Sequence, residues 1–128
     1  MEFDHAGIAT AEFDDLAALY ETVFDAPVVH EEEFEGLRVG FCELGGGYFE
    51  LLEPLGDDGP IADYIDRQGS GLHHVALRTD DVAGALARAK EADLALIDEE
   101  PRPGAWGHDV AFVHPDSTGG VLVEFVEH

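Results

Sequence analysis

Basic residues are scarce in this chain, which has 6 Lys and Arg residues against 29 Asp and Glu residues and a formal net charge of −23 at pH 7. Such an excess of negative charge repels nucleic acids and anionic membrane surfaces, and no basic segment offsets it. We therefore expect neither as a partner. We interpret the imbalance as the solvated surface of a protein from a halophile, because the screening length falls to about 3 Å in 1 M salt.

Cysteine and long apolar runs are also nearly absent. The single cysteine, Cys42, excludes an internal disulfide framework and is typical of a reducing compartment. No apolar run reaches the roughly 18 residues of a membrane span, and the N-terminal segment lacks the features of a secretory signal. We therefore expect a cytoplasmic protein. The hydrophobic content of 45% still supports a core, and a length of 128 residues predicts one domain.

The chain has two halves with the same predicted order of elements, which is strand, helix and three strands. Module 1 covers about 1–54, module 2 covers about 71–128, and a connector at about 55–70 contains a short helix. Both modules must bury an apolar face, which predicts an α+β fold whose curved mixed sheet surrounds a cleft. The predicted strands cover 3–10, 27–32, 37–44, 48–53, 72–79, 94–98, 109–114 and 121–127. The first predicted helix has Asp14 and Asp15 placed to cap and charge its N-terminus, and the second starts at Asp80–Asp81.

Each module offers one histidine near its start and one glutamate near its end. His5 and Glu50 occupy these places in module 1, and His74 and Glu124 occupy them in module 2. Two modules related by a pseudo-two-fold axis would bring two imidazoles and two carboxylates to one point. This donor set suits a six-coordinate divalent ion such as Co²⁺, Mn²⁺, Ni²⁺, Zn²⁺ or iron, with positions left for substrate. The sequence therefore predicts a metal-binding cleft.

Three nearby residues have ligand chemistry but unsuitable positions. Successive side chains of a strand point to opposite faces, so only one of His73 and His74 can face the cleft, and the match with His5 selects His74. Glu53 and Glu127 each lie three residues beyond a predicted ligand and so point to the other face. We expect His73 to contribute to packing and the two glutamates to be surface residues.

Several segments carry a resemblance to a known family along almost the whole chain. The strongest are His-His-Val-Ala at 73–76 and His-Pro-Asp-Ser-Thr-Gly-Gly-Val-Leu at 114–122. The chain resembles the vicinal-oxygen-chelate (glyoxalase) superfamily and, within it, the methylmalonyl-CoA epimerases. Further segments of the resemblance are Asp4–Ala9, Glu50–Leu55, Pro60–Ala62 and Asp98–Ala105.

This resemblance implies that the protein interconverts the two C2 epimers of methylmalonyl-CoA, through proton abstraction and return at a metal-stabilised enolate. It implies one divalent ion, with Co²⁺ expected and Mn²⁺, Ni²⁺ or Zn²⁺ as alternatives, and a homodimer. The family's ligand positions match His5, Glu50, His74 and Glu124. The resemblance places a catalytic base at Glu124.

Epimerisation needs a second base on the opposite face of C2. At the position where the family carries this base, the chain departs from the family pattern. Bacterial members place a glutamate where this chain has Val39. Glu43 lies on the same strand face but about 13 Å further along, too far to substitute directly. Our hypothesis is that Glu50, the pseudo-two-fold mate of Glu124, acts on the opposite face of the substrate.

Contacts to the CoA group also differ from the family pattern. Asp116 and His108 stand where members often have lysine. Arg102 and Arg78 remain as possible phosphate contacts, although each is also suited to a salt bridge. Trp106 is suited either to stacking on adenine or to covering the cleft. The expected substrate-binding residues are Arg102, Trp106, His114 and Ser117.

Two other functions are compatible with the same fold. A glyoxalase-I-type isomerase would use the same four ligands for an enediolate, but the epimerase-specific segments argue against it. A non-catalytic small-molecule-binding protein of this fold often lacks the full ligand set, whereas all four positions are filled here. Stoichiometric metal would distinguish an enzyme from such a binding protein.

Overall fold

The computed structural model describes residues 1–128. It contains eight β-strands, three α-helices and two short 3-10 helices. No helix has both the length and the apolar character that a membrane span requires. In chain order the elements are β1 (Glu2–Ala9), α1 (Phe13–Phe24), β2 (Val28–Phe34), β3 (Leu37–Leu44), β4 (Gly47–Pro54), α2 (Pro60–Gln68), β5 (Gly71–Arg78), α3 (Val82–Glu91), β6 (Arg102–Pro103), β7 (Asp109–Val113) and β8 (Val123–Glu127), with 3-10 turns at Ala105–Gly107 and Pro115–Ser117.

The chain divides into two compact units with equivalent topology. The first unit is His5–His73, and the second combines Met1–Asp4 with His74–His128. The strand order is β2-β3-β4-β1 in the first unit and β5-β8-β7-β6 in the second. In each unit the first strand is parallel to the last, and the remaining pairs are antiparallel. This confirms the predicted α+β fold of paired β-α-β-β-β modules, while the assignment of one domain stays a prediction.

The core of the first unit lies between α1 and one face of its strands. Phe13, Ala26, Cys42 and Leu51 form a buried apolar cluster there. Burial, followed by the nearby Glu21 carboxylate, raises the pKa of the Cys42 thiol. Cys42 is therefore a neutral packing residue, since a thiol reacts through its thiolate.

The core of the second unit repeats this arrangement. Val82, Ala85 and Leu86 of α3, which recur at helical spacing, pack against side chains from β7 and β8. The helix α3 begins directly after Asp80–Asp81, as predicted, and Asp81 is its N-cap, because the Asp81 carboxylate accepts a hydrogen bond of 3.0 Å from the Gly84 N–H.

The predicted cap of α1 was wrong. The N-cap position is Glu12, whose side chain makes no capping hydrogen bond. Asp14 instead forms an ion pair of 2.9 Å with Arg38, whose guanidinium lies 3.9 Å from the centre of the Phe13 ring. Asp14 and Asp15 lie in the first turn of the helix. They can therefore contribute through the helix dipole rather than through a capping bond.

The predicted strand at 94–98 was also wrong. Only Leu96 makes a strand-like contact, an isolated bridge to Val113. On either side of this bridge, side chains accept the backbone N–H groups that a strand ladder would use. The Ala95 N–H donates to the Ser117 hydroxyl at 2.8 Å, and the Phe112 N–H donates to the Asp98 carboxylate at 2.8 Å. The strand that pairs with β7 is the two-residue β6.

Gly40 is a sensitive packing position in the first unit, because a Cβ built there would overlap the Phe13 ring. We expect Gly40→Ala to lower the free energy of unfolding by about 1–3 kcal/mol, the usual cost of overpacking a core. Urea unfolding in molar KCl measures this change. Gly46→Ala is the matched control, since its Cβ would meet nothing within 4 Å. Equal effects of the two variants would contradict the packing explanation.

Candidate metal centre

The first unit places His5 and Glu50 together on neighbouring strands. In the parallel β1–β4 pair, Gly7 lies opposite Glu50, so His5 is two residues earlier on the same face. The His5 Nε2 atom lies 3.3 Å from Glu50 Oε1. Both residues are buried, with exposed fractions of 3% and 6%. The structure therefore brings His5 and Glu50 of module 1 into contact, as the sequence predicts.

The second unit repeats this pair. In the parallel β5–β8 pair, Ala76 lies opposite Glu124, so His74 is again two residues earlier on the same face. The His74 Nε2 atom lies 3.3 Å from Glu124 Oε1. The exposed fractions are 4% and 7%. In both units the residue opposite the glutamate on the parallel strand is small, Gly7 in one and Ala76 in the other, which leaves space on that side of the carboxylate.

A phenylalanine ring packs against the histidine in each unit. Phe41 meets His5 edge to face with 5.6 Å between ring centres, and Phe112 meets His74 in the same way at 5.5 Å. Each phenylalanine also lies directly opposite the glutamate of its unit, on the adjacent antiparallel strand. These rings restrict the orientation of both imidazoles and form apolar walls beside the carboxylates.

The geometry of each pair fits metal coordination. Bonds of about 2.1 Å at right angles place adjacent donor atoms about 3 Å apart. The observed separation of 3.3 Å within each pair is close to this value. The donors are imidazole nitrogen and carboxylate oxygen, which suit divalent first-row ions. The fold and these His/Glu pairs are therefore compatible with a divalent metal ion.

Glu53 and Glu127 point away from the ligand face, as expected, but their assignment as surface residues was wrong. A Glu53 carboxylate oxygen accepts a hydrogen bond of 3.1 Å from the Phe13 N–H at the start of α1. Glu127 accepts a bond of 3.1 Å from the Val82 N–H at the start of α3. Both glutamates are half-buried. The repeat therefore contains a helix contact in addition to the His–Glu pair.

The family follows from the sequence together with this topology. The sequence profile described as the glyoxalase/bleomycin resistance protein/dioxygenase superfamily matches residues 4–112. The chain belongs to this superfamily.

Similar proteins cover nearly the whole chain. An uncharacterised Bacillus subtilis protein, YqjC, is 37% identical over 97% of this chain and 90% of its own length. The mitochondrial methylmalonyl-CoA epimerase of Bos taurus is 36% identical over 94% of this chain and 71% of its own length. A structure of Streptomyces coelicolor methylmalonyl-CoA epimerase with 2-nitronate-propionyl-CoA has a TM-score of 0.93 at 31% identity, over 99% of this chain and 94% of that one.

The first unit of this superfamily member contains a further His–Glu pair that the sequence reasoning missed. His30 lies opposite Phe41, which itself lies opposite Glu50, so His30 shares the ligand face of the sheet. The His30 Nε2 atom lies 3.1 Å from Glu32 Oε1, and each side chain is 28% exposed. The sequence signal for this pair is that His30 and Glu32 are two residues apart on a strand, which places both side chains on the same face.

The position expected to hold the family's second base is apolar and enclosed. Val39 is fully buried and lies opposite Leu52 and Glu32 on its two neighbouring strands. Glu43 is exposed near the end of β3, opposite Tyr48. Neither residue therefore offers a carboxylate beside Glu50. His73, which precedes His74 in the chain, packs edge to face on Tyr64 with ring centres 5.2 Å apart.

Two expected substrate-binding residues lie on the edge of the second unit. Arg102 extends over the Phe112 ring at 5.4 Å and is fixed by a bond of 3.1 Å to Asp98. Trp106 has a left-handed backbone with φ of 62° and stacks on His108, with 5.6 Å between ring centres. Both are partly exposed and held in place.

The other two expected substrate-binding residues lie in one turn and hold it together. His114 Nδ1 accepts a hydrogen bond of 3.1 Å from the Asp116 N–H. The Ser117 hydroxyl accepts the Ala95 N–H, and its own N–H donates to the His114 carbonyl at 3.0 Å. These bonds give both side chains a structural role in the turn.

Arg78 has a buried partner rather than an open position. Its Nε and Nη2 atoms lie 2.8 and 2.7 Å from one oxygen of Asp4, which is 1% exposed. The same oxygen lies 2.7 Å from Nε2 of His128. This favours the salt-bridge interpretation of Arg78 over contact with CoA phosphates.

Proposed function

We propose that this chain is a methylmalonyl-CoA epimerase, which removes the C2 proton of its substrate from one face and returns a proton to the other. The observation that carries the proposal is the buried His–Glu pair at equivalent positions of both units. Similarity over most of the chain to proteins named for this activity supports the choice of substrate. The corresponding role is on the route between propionyl-CoA and succinyl-CoA.

We propose that His5, Glu50, His74 and Glu124 hold one divalent ion, Co²⁺ in preference to Mn²⁺, Ni²⁺ or Zn²⁺. The two pairs supply two imidazole nitrogens and two carboxylate oxygens, each nitrogen 3.3 Å from the oxygen of its own unit, and this donor set suits a divalent first-row ion. When bound, a divalent ion supplies Lewis acidity toward the thioester carbonyl.

Glu124 is the proposed base on the first face of C2. It accepts the proton and leaves an enolate, whose charge is delocalised onto the thioester oxygen. Glu50, the equivalent residue of the other module, begins the cycle protonated and gives its proton to the opposite face, and proton exchange with solvent then restores both carboxyl groups. Both carboxylates are buried, and Phe41 and Phe112 lie beside them, which limits water access to the carbanion. Positioned acid–base groups of this kind contribute about 10²–10⁴-fold to rate.

The proposed role of Glu50 predicts that Glu50→Gln retains metal but loses turnover by about 10²-fold or more, because an amide cannot transfer the proton. Calorimetric titration with Co²⁺ and the conversion of one epimer into the other, followed with a coupling mutase, measure the two properties on one preparation. Activity within tenfold of the unsubstituted protein would contradict the role of Glu50. His30 and Glu32 would then be the first residues to replace.

The proposed partners of the protein are an acyl-CoA substrate and a second copy of the chain in a homodimer. Arg102 and Trp106 are proposed to contact the CoA group, because both are partly exposed and each is oriented by a contact, Arg102 by Asp98 and Trp106 by His108. His114 and Ser117 are proposed to support binding from their turn.

A coupled assay tests the proposed activity against the isomerase alternative. The protein is incubated with the methylmalonyl-CoA epimer that a mutase cannot use, and conversion is followed after mutase addition. The proposal predicts conversion that requires the protein and disappears after chelation. No conversion by the metal-loaded protein, combined with turnover of a hemithioacetal, would favour the glyoxalase-I-type reaction.

A further inference from the structure

Each strand that carries a proposed metal-binding glutamate also holds a helix through a second glutamate. On β4, Glu50 faces the proposed centre, and Glu53 accepts the first N–H of α1 at 3.1 Å. On β8, Glu124 faces the proposed centre, and Glu127 accepts the first N–H of α3 at 3.1 Å. The spacing of three residues and the helix position are the same in both units.

These contacts involve buried parts of each unit. The N–H donors belong to Phe13 and Val82, whose exposed fractions are 2% and 0%. A carboxylate at a helix N-terminus gains from the partial positive charge there, and such charge-assisted hydrogen bonds are stronger than neutral ones. Each contact therefore fixes the end of the ligand-bearing strand relative to a helix that is anchored in the core.

We propose that Glu53 and Glu127 are positioning residues for the metal centre, which hold Glu50 and Glu124 in register with their histidine partners. The inference rests on the proposed metal site. The strand side chains alternate, so a shift of the strand end would turn the ligand away from its histidine. Preorganisation by residues behind the ligands commonly changes metal affinity by about 10–100-fold.

The helix α3 offers a matched control, because two carboxylates bind the same N-terminus. Asp81 comes from the preceding loop and accepts the Gly84 N–H, whereas Glu127 comes from the ligand strand and accepts the Val82 N–H. Loss of either carboxylate weakens the same helix end. Only the loss of Glu127 releases the ligand strand.

The experiment compares Glu127→Ala, Glu127→Gln and Asp81→Ala in the full chain, with Co²⁺ affinity measured by calorimetry and stability measured by urea unfolding. We expect Glu127→Ala to raise the Co²⁺ Kd about tenfold. Glu127→Gln keeps an acceptor oxygen and should restore the affinity to within about threefold of the unsubstituted value. Asp81→Ala should leave it within about twofold, despite a similar loss of stability.

Equal Kd values for Glu127→Ala and Asp81→Ala, whether changed or unchanged, would overturn the proposal. Failure of Glu127→Gln to restore affinity would also overturn it. Absence of Co²⁺ binding by the unsubstituted protein would remove its basis, and C2-proton exchange on the same sample reports separately whether the proposed epimerase activity remains. Glu53→Ala should repeat the effect of Glu127→Ala in the first unit.

Discussion

Replacing Glu124 with glutamine is expected to reduce C2-proton exchange by about 10²–10⁴-fold in the methylmalonyl-CoA epimer whose C2 proton faces Glu124, the range attributed to a positioned acid–base group. The amide keeps the size of the side chain and one oxygen donor, but it cannot accept the C2 proton. Because Glu124 is buried beside His74, its oxygen can still contribute to metal binding. Proton NMR in deuterated water measures the exchange rate, and Co²⁺ titration checks that metal is retained.

The control for this variant is Glu127→Gln, three residues along the same strand on its other face. It retains the acceptor oxygen for the helix contact and should keep exchange close to the unsubstituted rate. Exchange by Glu124→Gln within tenfold of that rate, at full metal occupancy, would show that Glu124 is not the base.

Replacing His74 with alanine is expected to raise the Kd for Co²⁺ by more than about 100-fold, beyond the usual effect of residues behind the ligands. His74 supplies one of the four proposed donors. The side chains of its strand neighbours, His73 and Val75, point to the other face of the sheet and so cannot replace it. The adjacent His73 provides the control, because it packs on Tyr64 instead. His73→Ala should leave the Kd within about threefold, since the packing contact is remote from the donor atom.

Calorimetric titration of both variants separates the two histidines, with the unfolding midpoint measured in parallel. Similar Kd values for the variants would contradict the assignment of His74 as a ligand. A larger effect of His73→Ala would indicate that the sequence match between the two modules selected the wrong residue.

The two His–Glu contacts were predictable from sequence because the chain repeats the residues that form them. His5 and His74 begin equivalent strands, and Glu50 and Glu124 end equivalent strands, so one pattern predicted both pairs. Strand alternation then correctly separated His74 from His73. The sequence did not predict that Phe41 and Phe112 pack edge to face on the two imidazoles. These contacts depend on strand register, which residue type alone does not specify.

Other residues were misassigned because their partners are distant in sequence. Glu53 contacts Phe13 across 40 residues, and Glu127 contacts Val82 across 45. Alternation placed both glutamates correctly on the second face, but that face carries the helices rather than only solvent. The prediction of a strand at 94–98 was wrong for a related reason. The side chains of Ser117 and Asp98 accept hydrogen bonds from the backbone N–H groups that a strand ladder would use.

The net negative charge of the chain makes its stability dependent on ionic strength. With a formal charge of −23, self-repulsion opposes the compact state at low ionic strength. Comparisons between variants are therefore made in molar KCl, where the screening length is about 3 Å. This choice removes charge repulsion as an explanation for differences in metal affinity.

The most direct test is proton NMR of methylmalonyl-CoA in deuterated water and molar KCl, with the protein as purified, after chelation, and after Co²⁺ is added back. The proposed function predicts rapid loss of the C2 proton signal, which falls toward the uncatalysed rate after chelation and returns with Co²⁺. Exchange at the uncatalysed rate with folded, metal-loaded protein would contradict it.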